Sequence, residues 1–233
     1  MEEFMLASFW LAVGQIIMID ILLGGDNAVV IALACRNLPP RQRVQGIIYG
    51  TMGAIVLRVI LIAFALALLA IPYLKIVGAL LLLWIGVKLL LPEDNGDHHI
   101  SSSDKLWSAV KTVIIADLVM SVDNVLAIAG AAQGAGQQHQ LPLVIFGLLV
   151  SIPIIVWGSQ LVLKLMGRFP IIITLGAMLL GWIAGQMAYT DPALKPYLPQ
   201  SALWSYVAAA VGALFVLVAG KVMESRQRSA DPA

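Results

Sequence analysis

Four aspartates and two asparagines stand in this chain where their neighbours make them costly. Asp20-Ile-Leu-Leu-Gly-Gly-Asp26-Asn27-Ala-Val-Val-Ile-Ala32 recurs, 97 positions later, as Asp117-Leu-Val-Met-Ser-Val-Asp123-Asn124-Val-Leu-Ala-Ile-Ala129. Charged groups inside long apolar runs mark function by default. The set Asp20, Asp26, Asn27, Asp117, Asp123 and Asn124 offers only oxygen, with no thiolate or imidazole. Hard divalent cations such as Mn²⁺, Mg²⁺ and Ca²⁺ suit carboxylate and carboxamide ligands, whereas zinc and copper sites recruit His or Cys. Four carboxylates in a low dielectric cannot all stay ionised and unpaired, so each needs a cation or a proton. Metal arrival then releases protons, which makes proton-coupled exchange a natural expectation.

The spacing says what must position these groups. On a regular helix seven residues make nearly two turns, so Asp20 shares a face with Asn27, about 10 Å away, as Asp117 does with Asn124; Asp26 and Asp123 sit about 100° around. A regular helix would not aim all three at one point. Gly24-Gly25 permits a local break that frees backbone carbonyls beside the carboxylates. The second copy has Ser121-Val122 there, and any break in it rests on something else.

The scaffold is a membrane one. Of 233 residues 61% are hydrophobic and 12% charged, with a mean hydropathy of +0.94, outside the soluble range. A net charge of +1 with no aromatic-basic stripe offers no surface for nucleic acid. Cys35, the single cysteine, cannot form an internal disulfide and reads as a small apolar residue near a helix end. The start, Met1-Glu2-Glu3-Phe4, is acidic where a secretory signal would be basic, so the first apolar run is expected to be retained.

Seven stretches are long and apolar enough to cross about 30 Å of hydrocarbon: 5–33, 44–70, 73–91, 107–132, 141–164, 170–189 and 202–221. Turn residues separate them, among them Pro39-Pro40, Pro72, Pro92 with Gly96, Pro170 and Asp191-Pro192. The halves match beyond the acidic motifs. Tyr49-Gly50 pairs with Phe146-Gly147, and Gly78-Ala79-x-Leu-Leu-x-Trp84-Ile85 with Gly176-Ala177-x-Leu-Leu-x-Trp182-Ile183. The expected organisation is all-α: a three-helix repeat in 1–92, a cytoplasmic linker in 93–105, a second repeat in 106–190, and a seventh helix with a tail in 191–233. An odd number of spans per repeat inverts the second copy, an arrangement that places transporter sites near the midplane. Eleven Lys and Arg near span ends fall on one side, from Arg36 to Arg228, and only Lys75 and Lys195 on the other. The crowded side is expected to be cytoplasmic, with the N-terminus outside and the C-terminus inside.

Other polar groups carry less. Arg58 lies near the middle of the second span, matched by Ile155, and is a candidate charge partner for one aspartate: either it fixes that carboxylate and lowers the site's charge for release, or it is a purely structural ion pair. Gln15, Thr51, Ser151, Gln160 and Gln186 are pathway groups or simple interhelical hydrogen bonds. His98-His99, with Asp94 and Asp97, reads as a solvated linker rather than a cation ramp, since it lacks ligand spacing. Trp84 and Trp182, beside Gly78-Ala79 and Gly176-Ala177, read as packing within the repeat.

At this point the chain resembles the TerC family of integral membrane proteins, within the wider group related to lysine exporters. The resemblance rests on Leu23-Gly24-Gly25-Asp26-Asn27-Ala28 and Ser121-Val122-Asp123-Asn124-Val125, each preceded by Asp20 or Asp117, and on the Gly-Ala-x-Leu-Leu-x-Trp-Ile element after each. It implies efflux of a divalent metal, chiefly manganese, with Asp20, Asp26, Asn27, Asp117, Asp123 and Asn124 as ligands and no prosthetic group. Some members are associated with tellurite resistance or with supplying metal to exported enzymes. Partners would be the bilayer of a bacterial plasma membrane, the metal, protons as counter-ion and, in some assemblies, further copies of the chain. The rivals are a small-solute exporter, for which only Arg58 is available to a carboxylate, and a non-transporting membrane partner in metal or tellurite stress. An intramembrane aspartyl protease is more remote: Leu23-Gly24-Gly25-Asp26 is similar to its Gly-x-Gly-Asp element, but the first Gly is Leu23, and four acids replace two.

Overall fold

The structure is a computed structural model that describes residues 26–64, 71–91, 102–133, 140–199 and 201–230, together with Gly14 and Met18. Every regular element among these residues is a helix: α1 Asp26–Cys35, α2 Pro40–Ala63, α3 Leu74–Leu90, α4 Ser102–Gln133, α5 Gln140–Arg168, α6 Ile171–Tyr189 and α7 Ala202–Ala230. Four stretches, Pro40–Leu61, Leu148–Arg168, Ile171–Tyr189 and Ala202–Gln227, are long and apolar enough to cross a membrane. At 17 residues α3 is shorter, about 25 Å at 1.5 Å per residue.

The ends differ from the sequence reading in informative ways. Pro40, expected to stop a helix, is the first residue of α2, where its missing N–H is no loss and its fixed φ favours a helical start. Ser102 begins α4 inside the expected linker, and α7 runs on to Ala230, well past the apolar stretch. Pro153 lies inside α5, which continues through it. Trp84, expected between helices, is instead 57% exposed, with Lys88 Nζ 5.2 Å from its ring centre. Large aromatics facing outward are at home in lipid and at its interface.

Small residues set how closely the helices approach. A Cβ on Gly50 would lie 2.9 Å from Val113, and one on Gly53 2.6 Å from Ile114, so α2 lies flat along α4. Both numbers rise together, through Arg58 and Asp117, and the two helices are therefore parallel. In the same sense α1 runs parallel to α5: Ala28 meets Gly158, while Ala32 and Leu33 cluster with Val162, Leu163 and Met166. The tightest contact joins α6 to α7 in antiparallel sense, where Cβ atoms on Gly181 and Gly185 would run into the backbone oxygens of Gly212 and Ala208. Close backbone approach through small residues is how helices associate where lipid gives them no hydrophobic drive.

One core joins α1, α3, α4 and α6 around Val30, Leu82, Ile85, Ala116, Leu180 and Ala184. A second joins α1, α2, α4 and α5 around Ile31, Cys35, Ile47, Val113 and Ile155. Asp191, beyond the end of α6, fastens this arrangement at one edge. Its Oδ1 accepts the backbone N–H groups of Tyr73 (3.0 Å) and Ala193 (2.7 Å), and its Oδ2 those of Lys75 (3.1 Å) and Ile76 (3.2 Å). The free donors of the first turn of α3 are thus met by a carboxylate from far along the chain. Tyr73, held at φ 65, is the one non-glycine residue of positive φ among those described.

Candidate functional site

Three helices bring polar groups to one buried place. From α1 come Asp26 and Asn27, from α2 Arg58, and from α4 Asp117 and Ser121; Thr51, also buried, lies on α2 two turns before Arg58. Their spacing follows from helix geometry: Asn27 with Val30 and Ile31, and Val113 with Asp117, lie three or four residues apart, so each set shares a face. These five residues and Ala54 line a cavity of about 10 Å³, the scale of a single water molecule.

The polar groups are thoroughly buried: Asn27, Thr51, Arg58 and Asp117 are 2–5% exposed and Ser121 is wholly covered. Arg58 Nη2 donates to Asp117 Oδ1 at 2.5 Å, and its Nε donates to Ser121 Oγ at 3.2 Å. The Ser121 hydroxyl in turn donates to Asp117 Oδ2 at 3.1 Å, closing a three-residue ring. Asp26 is half-buried, within electrostatic reach of Arg58 and Asp117, and its Oδ1 accepts the Asn27 backbone N–H at 2.8 Å. Against this closed ring two groups stand open. Neither amide atom of Asn27 nor the Thr51 hydroxyl has a hydrogen-bond partner among the described residues. Buried polar atoms without partners are uncommon and call for an explanation.

Asp26, Asn27 and Asp117, three of the six predicted ligands, therefore fall together. Asp20, Gly24 and Gly25 lie outside the described residues, as do Gln15 and His98-His99. Asp123 and Asn124 are on α4, with side chains outside the described set. Among the described residues no three His, Cys, Asp or Glu side chains are grouped as a metal site. Ser151, buried, donates its hydroxyl to Leu148 O on its own helix, and Gln160 is exposed; neither is among the residues lining this cavity.

Sequence reasoning missed two groups. Ser121 read only as the absence of a glycine, yet it sits one turn from Asp117 and completes its shell, a spacing that does carry a signal. Asp191 read as part of a turn, and nothing local in the sequence points to α3 as its partner.

Apolar helices facing outward over a buried polar centre make this an integral membrane protein. The Integral membrane protein TerC family matches residues 5–228, and the chain belongs to that family. It is 42% identical over 219 residues to the uncharacterized membrane protein YjbE of Bacillus subtilis, covering 94% of this chain and 96% of that one. It is 26% identical to the uncharacterized membrane protein YceF of the same organism, over 89% of this chain and 81% of the relative. The UPF0053 inner membrane protein YoaE of Escherichia coli is 24% identical over 75% of this chain, which spans 36% of that longer protein. No solved structure matches the chain.

Proposed function

We propose that the protein is a transporter that exports a hard divalent cation, with Mn²⁺ the foremost candidate, from the cytoplasm across the bacterial plasma membrane. The observation that carries this reading is the Asn27 carboxamide: buried, without a hydrogen-bond partner among the described residues, and set with Asp117 on a cavity of single-ion size beside Asp26. An oxygen donor held open between carboxylates suits a hard cation. In this reading Asp20, Asp26, Asn27, Asp117, Asp123 and Asn124 bind the metal, Gly24-Gly25 opens the first helix, and protons exchange for metal on the carboxylates. Seven spans in two inverted repeats then expose the site to each side in turn. The parallel pairs α2 with α4 and α1 with α5 support that architecture, because each pairs the first helix of one repeat with the second of the other. The inner-membrane wording attached to the Escherichia coli relative supports the location.

The small-solute alternative loses ground on one observation. A zwitterion needs a cation for its carboxylate, and Arg58 already bonds Asp117 and Ser121.

The test is cellular metal content after a manganese challenge, measured by mass spectrometry in cells lacking their own exporter. Wild type is expected to lower manganese selectively, and the Asp26→Asn, Asp123→Asn double variant at matched abundance is not. Unchanged divalent metals in both would overturn the export reading and move the partner or small-solute alternatives ahead.

A further inference from the structure

Asp117 presents a chemical conflict. It lines the cavity with Asn27, yet both its oxygens are occupied, Oδ1 by the Arg58 guanidinium at 2.5 Å and Oδ2 by the Ser121 hydroxyl at 3.1 Å. A divalent cation binding that carboxylate competes with the guanidinium, because two positive charges a few ångströms apart in a poorly screened interior repel. A lone Asp117, equally, cannot stay buried and ionised without a partner. Its charge is best balanced by one cation at a time.

Building on the cation-site reading above, we propose that Arg58 is the protein's own stand-in for the transported cation: its guanidinium holds Asp117 while the site is empty, yields it when a divalent cation binds against Asn27 and Asp117, and reclaims it to drive the cation out. Three features of the site suit this exchange. Ser121 Oγ accepts from Arg58 Nε at 3.2 Å, a second anchor on which the side chain pivots when Nη2 leaves the carboxylate. Arginine keeps its charge at any accessible pH and its planar fork matches a carboxylate, so the empty state needs no proton on Asp117. The position matched to Arg58 in the other half is Ile155, buried and apolar, so no arginine stands at the equivalent place there. Release at Asp117 is then a competition inside the protein, and the exchange of protons for metal falls to the other carboxylates.

If Arg58 substitutes for the cation, the cation must substitute for Arg58. A pair that is merely structural has no such reciprocity. The test is thermal unfolding of the purified, detergent-solubilised chain against MnCl₂, for wild type, Arg58→Gln, Arg58→Lys and the Arg58→Gln, Asp117→Asn double variant, with Mn²⁺ turnover in proteoliposomes. Without metal, Arg58→Gln is expected to melt below wild type. Saturating Mn²⁺ should raise its midpoint by more than it raises the wild type's, at an apparent affinity tighter by at least about tenfold. Turnover should meanwhile fall by at least about tenfold, because the group that expels the cation is gone. The double variant should gain no affinity, and Arg58→Lys should fall between wild type and Arg58→Gln. Equal Mn²⁺ shifts in wild type and Arg58→Gln would overturn the proposal while leaving the cation site standing. Should Arg58→Gln fail to fold at every Mn²⁺ concentration, Arg58→Lys decides: a lysine variant binding no tighter than wild type overturns it. A wild type that responds to none of Mn²⁺, Mg²⁺ and Ca²⁺ overturns the cation-site reading and this inference with it.

Discussion

Asn27 and Arg58 lie in the same buried neighbourhood and contribute to it in opposite ways. Arg58, Asp117 and Ser121 satisfy one another, so they hold α2 to α4, whereas the Asn27 amide bonds to nothing described and adds no such tie. An unpartnered buried amide is a burden of about 1–3 kcal/mol. Asn27→Leu is therefore expected to leave thermal stability unchanged or raised by about 1 kcal/mol while abolishing manganese export; a melting curve paired with a transport assay checks both halves. A large loss of stability would mean that the amide is structural. Much of this was legible in the sequence. Acidic residues in a repeated apolar run announced the centre, and the mismatch of Arg58 with Ile155 singled out the one cation at depth. Which aspartate Arg58 would choose was not legible, because it depends on how α2 lies along α4. That register is set by Gly50 and Gly53 against Val113 and Ile114, a matter of shape rather than of motif.

Among the elements, α6 with α7 is the most sharply specified contact. Gly185→Val drives methyl groups into the α7 backbone at Ala208, a helix that cannot yield locally, and should cost several kcal/mol, on the order of the largest overpacking penalties. Gly167→Ala, whose Cβ meets nothing within 4 Å on an exposed face of α5, should instead stabilise by up to about 1 kcal/mol through helix propensity. Chemical or thermal unfolding of the two variants side by side separates close packing from a general intolerance of glycine replacement. The sequence match drew attention to Gly176-Ala177, but the tighter approach lies at Gly181 and Gly185, against the α7 backbone. Asp191 adds an electrostatic prediction outside the spans. Burial opposes its ionisation, but backbone N–H donors from Ala193, Tyr73, Ile76 and Lys75 outweigh this and hold the carboxyl below its ordinary value. A depressed acid stabilises the fold above its unfolded pKa and loses that contribution as pH falls through the folded value. Between pH about 5 and about 3 the wild type should lose more of its melting temperature than Asp191→Asn, which has no such charge to lose. Parallel pH profiles would count against the cap.

At the scale of the molecule, the offset of 97 residues made two related halves visible, while the sequence pattern said nothing of how they interlock. In the structure α1 packs on α5 and α2 on α4, so helices from early and late in the chain interlock. The topology proposed above puts Lys195 outside and Arg226 inside. A membrane-impermeant thiol reagent on intact cells should then label Lys195→Cys but leave Arg226→Cys unlabelled until the cells are opened; Cys35 is buried and should contribute little background. Labelling in the reverse order would invert the orientation. The Asp191 cap also has a bearing on how the chain comes to be built. Synthesis delivers the start of α3 well over a hundred residues before the carboxylate that completes it, since Tyr73 and Asp191 lie 118 apart. Until then the open donors of its first turn must be met by water or by lipid headgroups, and this short helix waits at the membrane edge with one end unfinished. A chain halted after its fifth helix would lack this cap altogether.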